Sequence, residues 1–588
     1  MPLIDWSADV DKRIVIVVDV TYTPSGGGSE VLRWCWRATA PDGWADVETG
    51  EMYLPYLDSW SWEESWASDF VAGPIPVPSA RWKASLPDAE IDPDVWEAVM
   101  TGHFRGQAVV LTAVELDDDG REVARTELFR GVASDRGAGE AKYPISGRGE
   151  VSWSAEAFGG LLSTTLSLDA WEIPHSAGDY SGQSDFNGML IPRIYGLNED
   201  VDVGRDKGGW WVQMPVVDSS ASSVTIGMCG HEVDNNPVDG GELGTDNNTA
   251  RSGWAFVDDA LSAVAWLGTG NYSNTASYPQ LVTSYSARGS DAFVMDFGVA
   301  FTTKGKRFWA KPHGQGSVTA VANTLEHVED IVSDLLTFQG AAADFWVSGW
   351  PAAVASTFPD DERKCVVVVP GIRPSSEAPK MSVLLGELLH PFGLHLTLEP
   401  DSSNDNELRA VLRYRQVTGT ADHRFSIRSG QIAAWSYKTD WQNARSSVRL
   451  RSAEYVSPIV VDTKDNEVLP RYDVFGDTDA TAEANDTIST VLDLDFQWLR
   501  SANTASWDAI GETALAHCSG VIHTVSADLG IHGLGVRLGE EVEWDVPIAQ
   551  HLSGGAVGVC WGRRCSGGAG GSIRVALLTR HGSFTYPT

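Results

Sequence analysis

Gln107-Ala108-Val109-Val110-Leu111-Thr112-Ala113-Val114-Glu115-Leu116 runs into Asp117-Asp118-Asp119-Gly120, and Val123-Ala124-Arg125-Thr126-Glu127-Leu128-Phe129-Arg130-Gly131 comes back. Both arms are rich in β-branched and apolar residues, and Asp-Gly at the tip supplies the positive φ that a tight reversal needs, so the stretch reads as a β-hairpin. The Asp cluster lacks the oxygen-ligand spacing of a calcium loop and reads as a solvated turn. The same grammar appears upstream. Arg13–Thr21 is β-branched, Thr23–Ser29 can only be a loop, and Leu32–Ala38 returns as an alternating second strand.

Between these strands and the hairpin, Tyr53–Trp66 crowds Trp60, Trp62 and Trp66 beside Glu63 and Glu64. Tryptophan supplies the largest buried area of any side chain, so the three read as anchors of a core or of a subunit interface. A sugar-stacking platform is the alternative. After the hairpin, Ala141–Leu166 supplies more strand or short-helix material, and from about 200 to 322 short apolar runs alternate with Gly, Ser, Asn and Asp, the pattern of antiparallel β structure with long loops.

Helical periodicity begins at 323. Asn323 is placed to cap a helix over Thr324–Phe338 with Glu326 as capping-box partner, and Leu325, Val328, Ile331, Val332, Leu335 and Leu336 form its apolar stripe. Val366–Val369 reads as a buried strand and Met381–Leu389 as a second helix, stopped by Pro391 and Gly393. Leu394–Leu398 then turns through Asp401–Asn406 into Leu408–Tyr414, so a helix is laid on a strand pair. Ser446–Leu450, Pro458–Val461, Val521–Val525, Gly533–Leu538 and Ile573–Leu578 return to β character, around an exposed stretch at Asp477–Thr487 and a side-chain-poor loop at Ser566–Ser572. The expected fold is mainly β with small α/β modules, in five spans: 1–190, 191–322, 323–420, 421–490 and 491–588.

With 588 residues the chain is too long for one core, and 43% hydrophobic content suffices for globular folding. No apolar run approaches the length of a membrane span, and Met1–Trp6 carries no leader-like pattern, so a soluble protein made in a cytoplasm is expected. The six cysteines are scattered, which fits a reducing compartment. Only Cys560 and Cys565, with Cys518 upstream, have any local density, and their spacing matches no standard metal or cluster site. There is no Gly-x-Ser-x-Gly elbow, phosphate loop or His-Glu-x-x-His helix, so no catalytic, cofactor or metal residue is assigned. The formal charge of −37 excludes non-specific nucleic-acid binding through a basic surface.

The order of elements carries a resemblance. The two N-terminal strands and the Trp stretch precede Phe104-Arg105-Gly106-Gln107 and a hairpin closing on Leu128–Val132. Then come Ile191-Pro192-Arg193-Ile194-Tyr195-Gly196, the 324–338 helix and the Leu384–Leu394 module. Over residues 10–420 this resembles the baseplate or tail-tip hub proteins of tailed bacteriophages, including gene-transfer-agent-like tails. The resemblance implies tail-tube-like β-barrel domains with an inserted helix-on-sheet domain, in a non-enzymatic virion subunit. It implies a homo-oligomeric ring, usually of three copies, seated on a distal tail protein and meeting the tape-measure protein in its lumen. Below, the ring would carry a central fibre, spike or receptor-binding proteins. DNA would pass without specific binding, which an acidic channel would favour. The iron–sulfur site and cell-wall hydrolase domain of some relatives are not carried over. The rival expectation is a carbohydrate-binding β protein, or a phage glycosidase, using exposed Trp residues.

Overall fold

The computed structural model describes residues 2–6, 12–47, 49–67, 73–88, 90–134, 140–142, 149–173, 186–196, 212–219, 224–231, 254–259, 264–266, 280–287, 290–297, 306–311, 325–341, 346–347, 349–356, 358–371, 377–414, 418–440, 444–452, 472–475, 491–501, 504–518, 520–552, 556–568 and 570–582. The N-terminal strands are β1 (Arg13–Tyr22), β2 (Glu30–Trp36), β3 (Met52–Ser65), β4 (Ser79–Leu86), β5 (Ala108–Leu116), β6 (Glu122–Ala133) and β7 (Gly149–Ala157), with helix α1 (Pro93–Thr101) between β4 and β5. They pair in the order β2-β1-β5-β6-β7-β4-β3, and β2 pairs β3 in parallel, so seven strands close into a barrel. The β5–β6 hairpin forms as its sequence predicts, with Gly120 at φ 81° and the Asp117 carboxylate accepting from the Arg121 amide.

The barrel is filled by aromatics because alternate strand positions point inward. Trp34 and Trp153 rings lie 4.7 Å apart, Trp82 stacks on Trp153 at 6.1 Å, and Trp36 meets Trp60 edge-on at 6.0 Å.

The chain then leaves and comes back. Helix α2 (Val328–Phe338), strand β8 (Cys365–Val369), helix α3 (Met381–Leu389) and the hairpin β9 (Leu394–Asp401)–β10 (Glu407–Tyr414) form the helix-on-sheet unit. Gly393 sits at φ 68° between helix and strand, where a left-handed residue is required. The unit is tied to the barrel by the Ile75 amide donating to the Ser382 carbonyl and the Leu408 amide donating to Glu127. Strands described between 212 and 311 form two antiparallel four-stranded sheets.

Strands β11 (His423–Ser426), β12 (Ile432–Asp440), β13 (Ile522–Leu529), β14 (Glu541–Asp545), β15 (Val557–Gly567) and β16 (Ile573–His581) run β11-β14-β15-β16-β13-β12. This second set does not stand alone. β15 pairs antiparallel with the second half of β3, so strands expected as a separate C-terminal β span share one 15-stranded sheet with the N-terminal barrel. Arg563 lies across from Glu64 in that seam. Both are buried and ion-paired, and the guanidinium also donates to the Leu534 and Val536 carbonyls and lies 4.4 Å from the Trp62 ring. A buried pair survives desolvation only when its remaining hydrogen-bonding groups are satisfied, as here.

Several sequence expectations change. Helix α2 begins at Val328 with His327 at its N-cap, so Glu326 precedes the helix and is not the N3 partner of a cap. Glu326 pairs with Lys364 at 3.3 Å and its carbonyl accepts from the Cys365 amide, which holds 326–327 against the lead into β8; Asn323 lies outside the described residues. Gly533–Leu538 is no strand: Ile531–Gly535 is a 3-10 turn whose neighbourhood supplies carbonyls to Arg563. Helix α1 and a helix over Thr504–Cys518 (α4) were not expected. Pro458–Val461 and Asp477–Thr487 lie outside the described residues.

Removing one partner of the seam pair, by Glu64→Gln or Arg563→Met, is expected to cost about 3–5 kcal/mol in urea unfolding. Gly567→Val would place a Cβ 2.5 Å from Trp60 Nε1 and 2.9 Å from the Trp36 ring, and is expected to cost about 1–3 kcal/mol. Unchanged unfolding midpoints in all three variants would show that the seam does not hold the halves together.

Candidate functional site: the polar face of the shared sheet

The seam creates a surface that neither half has alone. In β4, Trp82 and Ala84 point inward while Arg81, Lys83 and Ser85 point out; in β7, Trp153 and Ala155 point inward while Ser152 and Ser154 point out. β3 buries Trp60, Trp62 and Glu64 and turns Ser59, Ser61 and Glu63 outward. β15 and β16 continue this, with Cys565, Val575 and Leu577 inside and Arg564, Ser566, Arg574 and Ala576 outside. The register sets Ser154, Arg81, Ser61, Ser566 and Arg574 in one row across neighbouring strands. A second row runs Glu156, Ser79, Glu63, Arg564, Ala576 and Asp528.

The face is concave. A hollow of about 700 Å3 is lined by Ser59, Ser61, Arg81, Lys83, Ser154 and Arg574, and a neighbouring one of about 350 Å3 by Glu63, Arg564, Ser526 and Asp528. Lys83 pairs with Glu150 at 2.9 Å, an exposed contact worth little in water, and Ser134 and Ser154 share a 2.7 Å hydroxyl hydrogen bond. Glu63, Glu150, Glu156 and Asp528 stand among Arg81, Lys83, Arg564, Arg574 and, on β12, Lys438, so charges nearly balance and the acidic excess of the chain lies elsewhere. Short hydroxyls with interspersed opposite charges make a wettable surface without strong preference for one ion.

The three tryptophans singled out from sequence are not on this face. Trp60, Trp62 and Trp66 are 2%, 2% and 3% exposed, so the core reading replaces the interface reading, and they offer no stacking platform to a sugar. The reason is positional: Trp60 and Trp62 occupy the inward phase of β3, and Trp66 stacks on His395 at 4.2 Å and meets Trp561 edge-on at 5.2 Å. Cys518, Cys560 and Cys565 are each buried. Burial pushes the Cys565 thiol up to about 12 and that of Cys560 further, away from the thiolate a metal requires. Among the described residues no group of three or more His, Cys, Asp or Glu side chains converges as a metal site would, and no helix is long and apolar enough to cross a membrane.

Behind the face, the helix-on-sheet unit carries a titratable joint. Glu387 on α3 accepts the Trp498 and Leu499 amides through one oxygen, at 2.6 and 2.9 Å. Burial raises its pKa to about 7 against the opposing pull of those amides.

No protein-family model matches the chain, and no curated protein does. Solved structures similar to it include the tail protein from Neisseria meningitidis MC58, at 11% identity and a TM-score of 0.36, covering 97% of this chain and 98% of that one. The 43 kDa tail protein of prophage MuSo2 from Shewanella oneidensis shows 9% identity and a TM-score of 0.39, covering 90% and 95%. Prophage tail protein gp18 from Listeria monocytogenes EGD-e shows 7% identity and a TM-score of 0.31, covering 96% and 94%. These are likenesses of overall shape, and the functional reading rests on the residues of this chain.

Two outcomes follow from the site. Ser61→Ala, Arg81→Ala and Arg574→Ala are expected to change stability by less than about 0.5 kcal/mol, whereas Trp82→Ala, on the opposite phase of the same strand, is expected to cost about 3–5 kcal/mol. Equal losses on both phases would contradict the assignment of faces. Because folding raises the Glu387 pKa, its contribution is full below about pH 4.5 and is lost as pH rises through about 7. Stability should therefore fall between about pH 4.5 and 7, by on the order of 3 kcal/mol, with Glu387→Gln flattening that slope in urea titrations. An identical slope in the variant would contradict this.

Proposed function

We propose that this chain is a structural subunit of a bacteriophage tail tip, acting as a hub that performs no bond chemistry. Several copies, three by the family resemblance, close into a ring with the polar face turned to the bore. The single observation that supports this is the asymmetry of the shared sheet: one phase packs tryptophan and aliphatic side chains, while the other spreads serines and balanced charges over a concave surface. A wall needs those properties: rigidity behind and wettability in front.

The bore in this reading is near-neutral, not acidic as composition alone implied. That still suits DNA passage. Duplex DNA is held by runs of Lys and Arg that displace its counterions. Here Glu63 lies across from Arg564, and Lys83 is paired with Glu150, so these two cations have a competing carboxylate at hand. The remaining acidic surface keeps the outer wall from collecting polyanions. In the same proposal the ring sits in the virion on a distal tail protein, meets the tape-measure protein inside, and carries the fibre, spike or receptor-binding proteins.

Cryo-electron microscopy of purified particles tests the proposal. Density for this chain around the tail lumen, with Ser61, Arg81 and Ser566 facing the bore, is the expected result. Absence from particles, or a polar face buried against another protein, would overturn it.

A further inference from the structure

The charge balance of the polar face as a whole does not hold inside its larger hollow. Around those 700 Å3 stand three cations, Arg81, Lys83 and Arg574, with six serines and, among the described residues, no Asp or Glu. In a chain whose acidic residues outnumber its basic ones 80 to 43, this is a local inversion of charge. Lys83 is held by Glu150 at 2.9 Å, but among the described residues no carboxylate pairs with Arg81 or Arg574. The register sets Arg81 opposite Ser61, Ser61 opposite Ser566 and Ser566 opposite Arg574, so two guanidiniums flank a pair of hydroxyls. At about 4.8 Å per strand their backbones are roughly 14 Å apart, and each side chain has to lean over only one neighbouring strand to meet the other above the serines. Carboxylates stand at the margins instead. On β7 the run Glu150-x-Ser152-x-Ser154-x-Glu156 places its serines in the hollow and a carboxylate at either end, and on β3 Glu63 follows Ser59 and Ser61 in the same phase.

We propose that this hollow is a seat for one dianionic oxyanion, the phosphate group of a small phosphate monoester. Two guanidiniums without carboxylate partners match the charge of about −1.5 to −2 that a phosphate monoester carries at neutral pH. Each arginine fork engages two phosphate oxygens, and the Ser61 and Ser566 hydroxyls donate to what remains. A carboxylate brings a single charge and occupies one fork. A nucleic-acid strand brings a train of singly charged diesters, which Glu63, Glu150 and Glu156 at the margins repel. A hollow of several hundred Å3 also has room for the organic body that bears the phosphate. Gly567, Gly568 and Gly570 keep one side of it open, and a Cβ at Gly568 or Gly570 would meet nothing within 4 Å. Arg81 and Arg574 come from the two halves joined at the β3–β15 seam, so the seat exists only because the seam forms. It belongs to the single chain and does not depend on ring assembly.

Phosphorus NMR titration of inorganic phosphate and of glycerol 1-phosphate against the full chain, at pH 7.5 in phosphate-free buffer, provides the test. Both are expected to bind saturably, with acetate competing at least about tenfold more weakly. Arg81→Ala and Arg574→Ala are each expected to weaken phosphate binding about tenfold or more, with unfolding midpoints unchanged. Gly568→Asp, which sets a carboxylate at the hollow without a clash, is expected to abolish binding. Glu150→Gln releases Lys83 and is expected to tighten binding, while Arg564→Ala, in the neighbouring hollow, leaves it as in the wild type. No saturable binding, binding indifferent to Arg81 and Arg574, or acetate competing as well as phosphate would overturn the proposal. So would a duplex DNA oligomer that displaces the monoester through the same two arginines, since the hollow would then serve a polyanion. Phosphate binding by the free chain together with its absence from particles would uphold the seat and remove the hub reading.

Discussion

The structure depends on the seam between β3 and β15. Glu64 and Arg563 are 499 residues apart in the chain, yet they meet as a buried ion pair within a continuous antiparallel register. Closing a loop of that length costs entropy that grows only logarithmically, so a few well-placed interactions can hold it. Those interactions are specific. The guanidinium is satisfied by a carboxylate, by backbone carbonyls near Leu534 and Val536, and by the Trp62 ring, and Gly567 has no side chain so that Trp60 and Trp36 can close over it. Without the seam there would be a barrel and a six-stranded sheet. With it there is one wall.

The wall separates two kinds of chemistry by the pleat alone. Side chains two apart share a face, so Ser-Trp-Ser-Trp in β3 and Arg-Trp-Lys in β4 each send tryptophan one way and a polar group the other. The aromatic side supplies stiffness through dense packing. The polar side is free to answer to water, ions and whatever passes across it. Its hollows are lined by hydroxyls and charges of both signs.

Much of the fold was legible in the sequence, and its failures have physical causes. The β5–β6 hairpin and the α3–β9–β10 unit were readable because their signals are local: Asp-Gly at a tip, and Pro391 and Gly393 between helix and strand. Helix α4 was hidden because Thr504–Cys518 scatters its apolar positions instead of gathering them on one stripe. The start of α2 moved because Glu326 found a better partner in Lys364 than in a helix cap. The polar face was visible only in fragments. Ser59-x-Ser61, Arg81-x-Lys83 and Ser152-x-Ser154 show period two individually, but nothing local says that Ser566 and Arg574 join their row, because strand pairing across hundreds of residues leaves no trace in either strand alone.

The central claim is that this face is solvent-filled yet enclosed when copies assemble. The most direct measurement is thiol labelling of Ser61→Cys and Ser566→Cys, in the free chain and in assembled particles, with a small maleimide and with one carrying a bulky polymer. The account predicts that both reagents label the free chain, and that in the assembly the small one still reacts while the bulky one is excluded. Equal access by both reagents in the assembly, or exclusion of the small one, would contradict it.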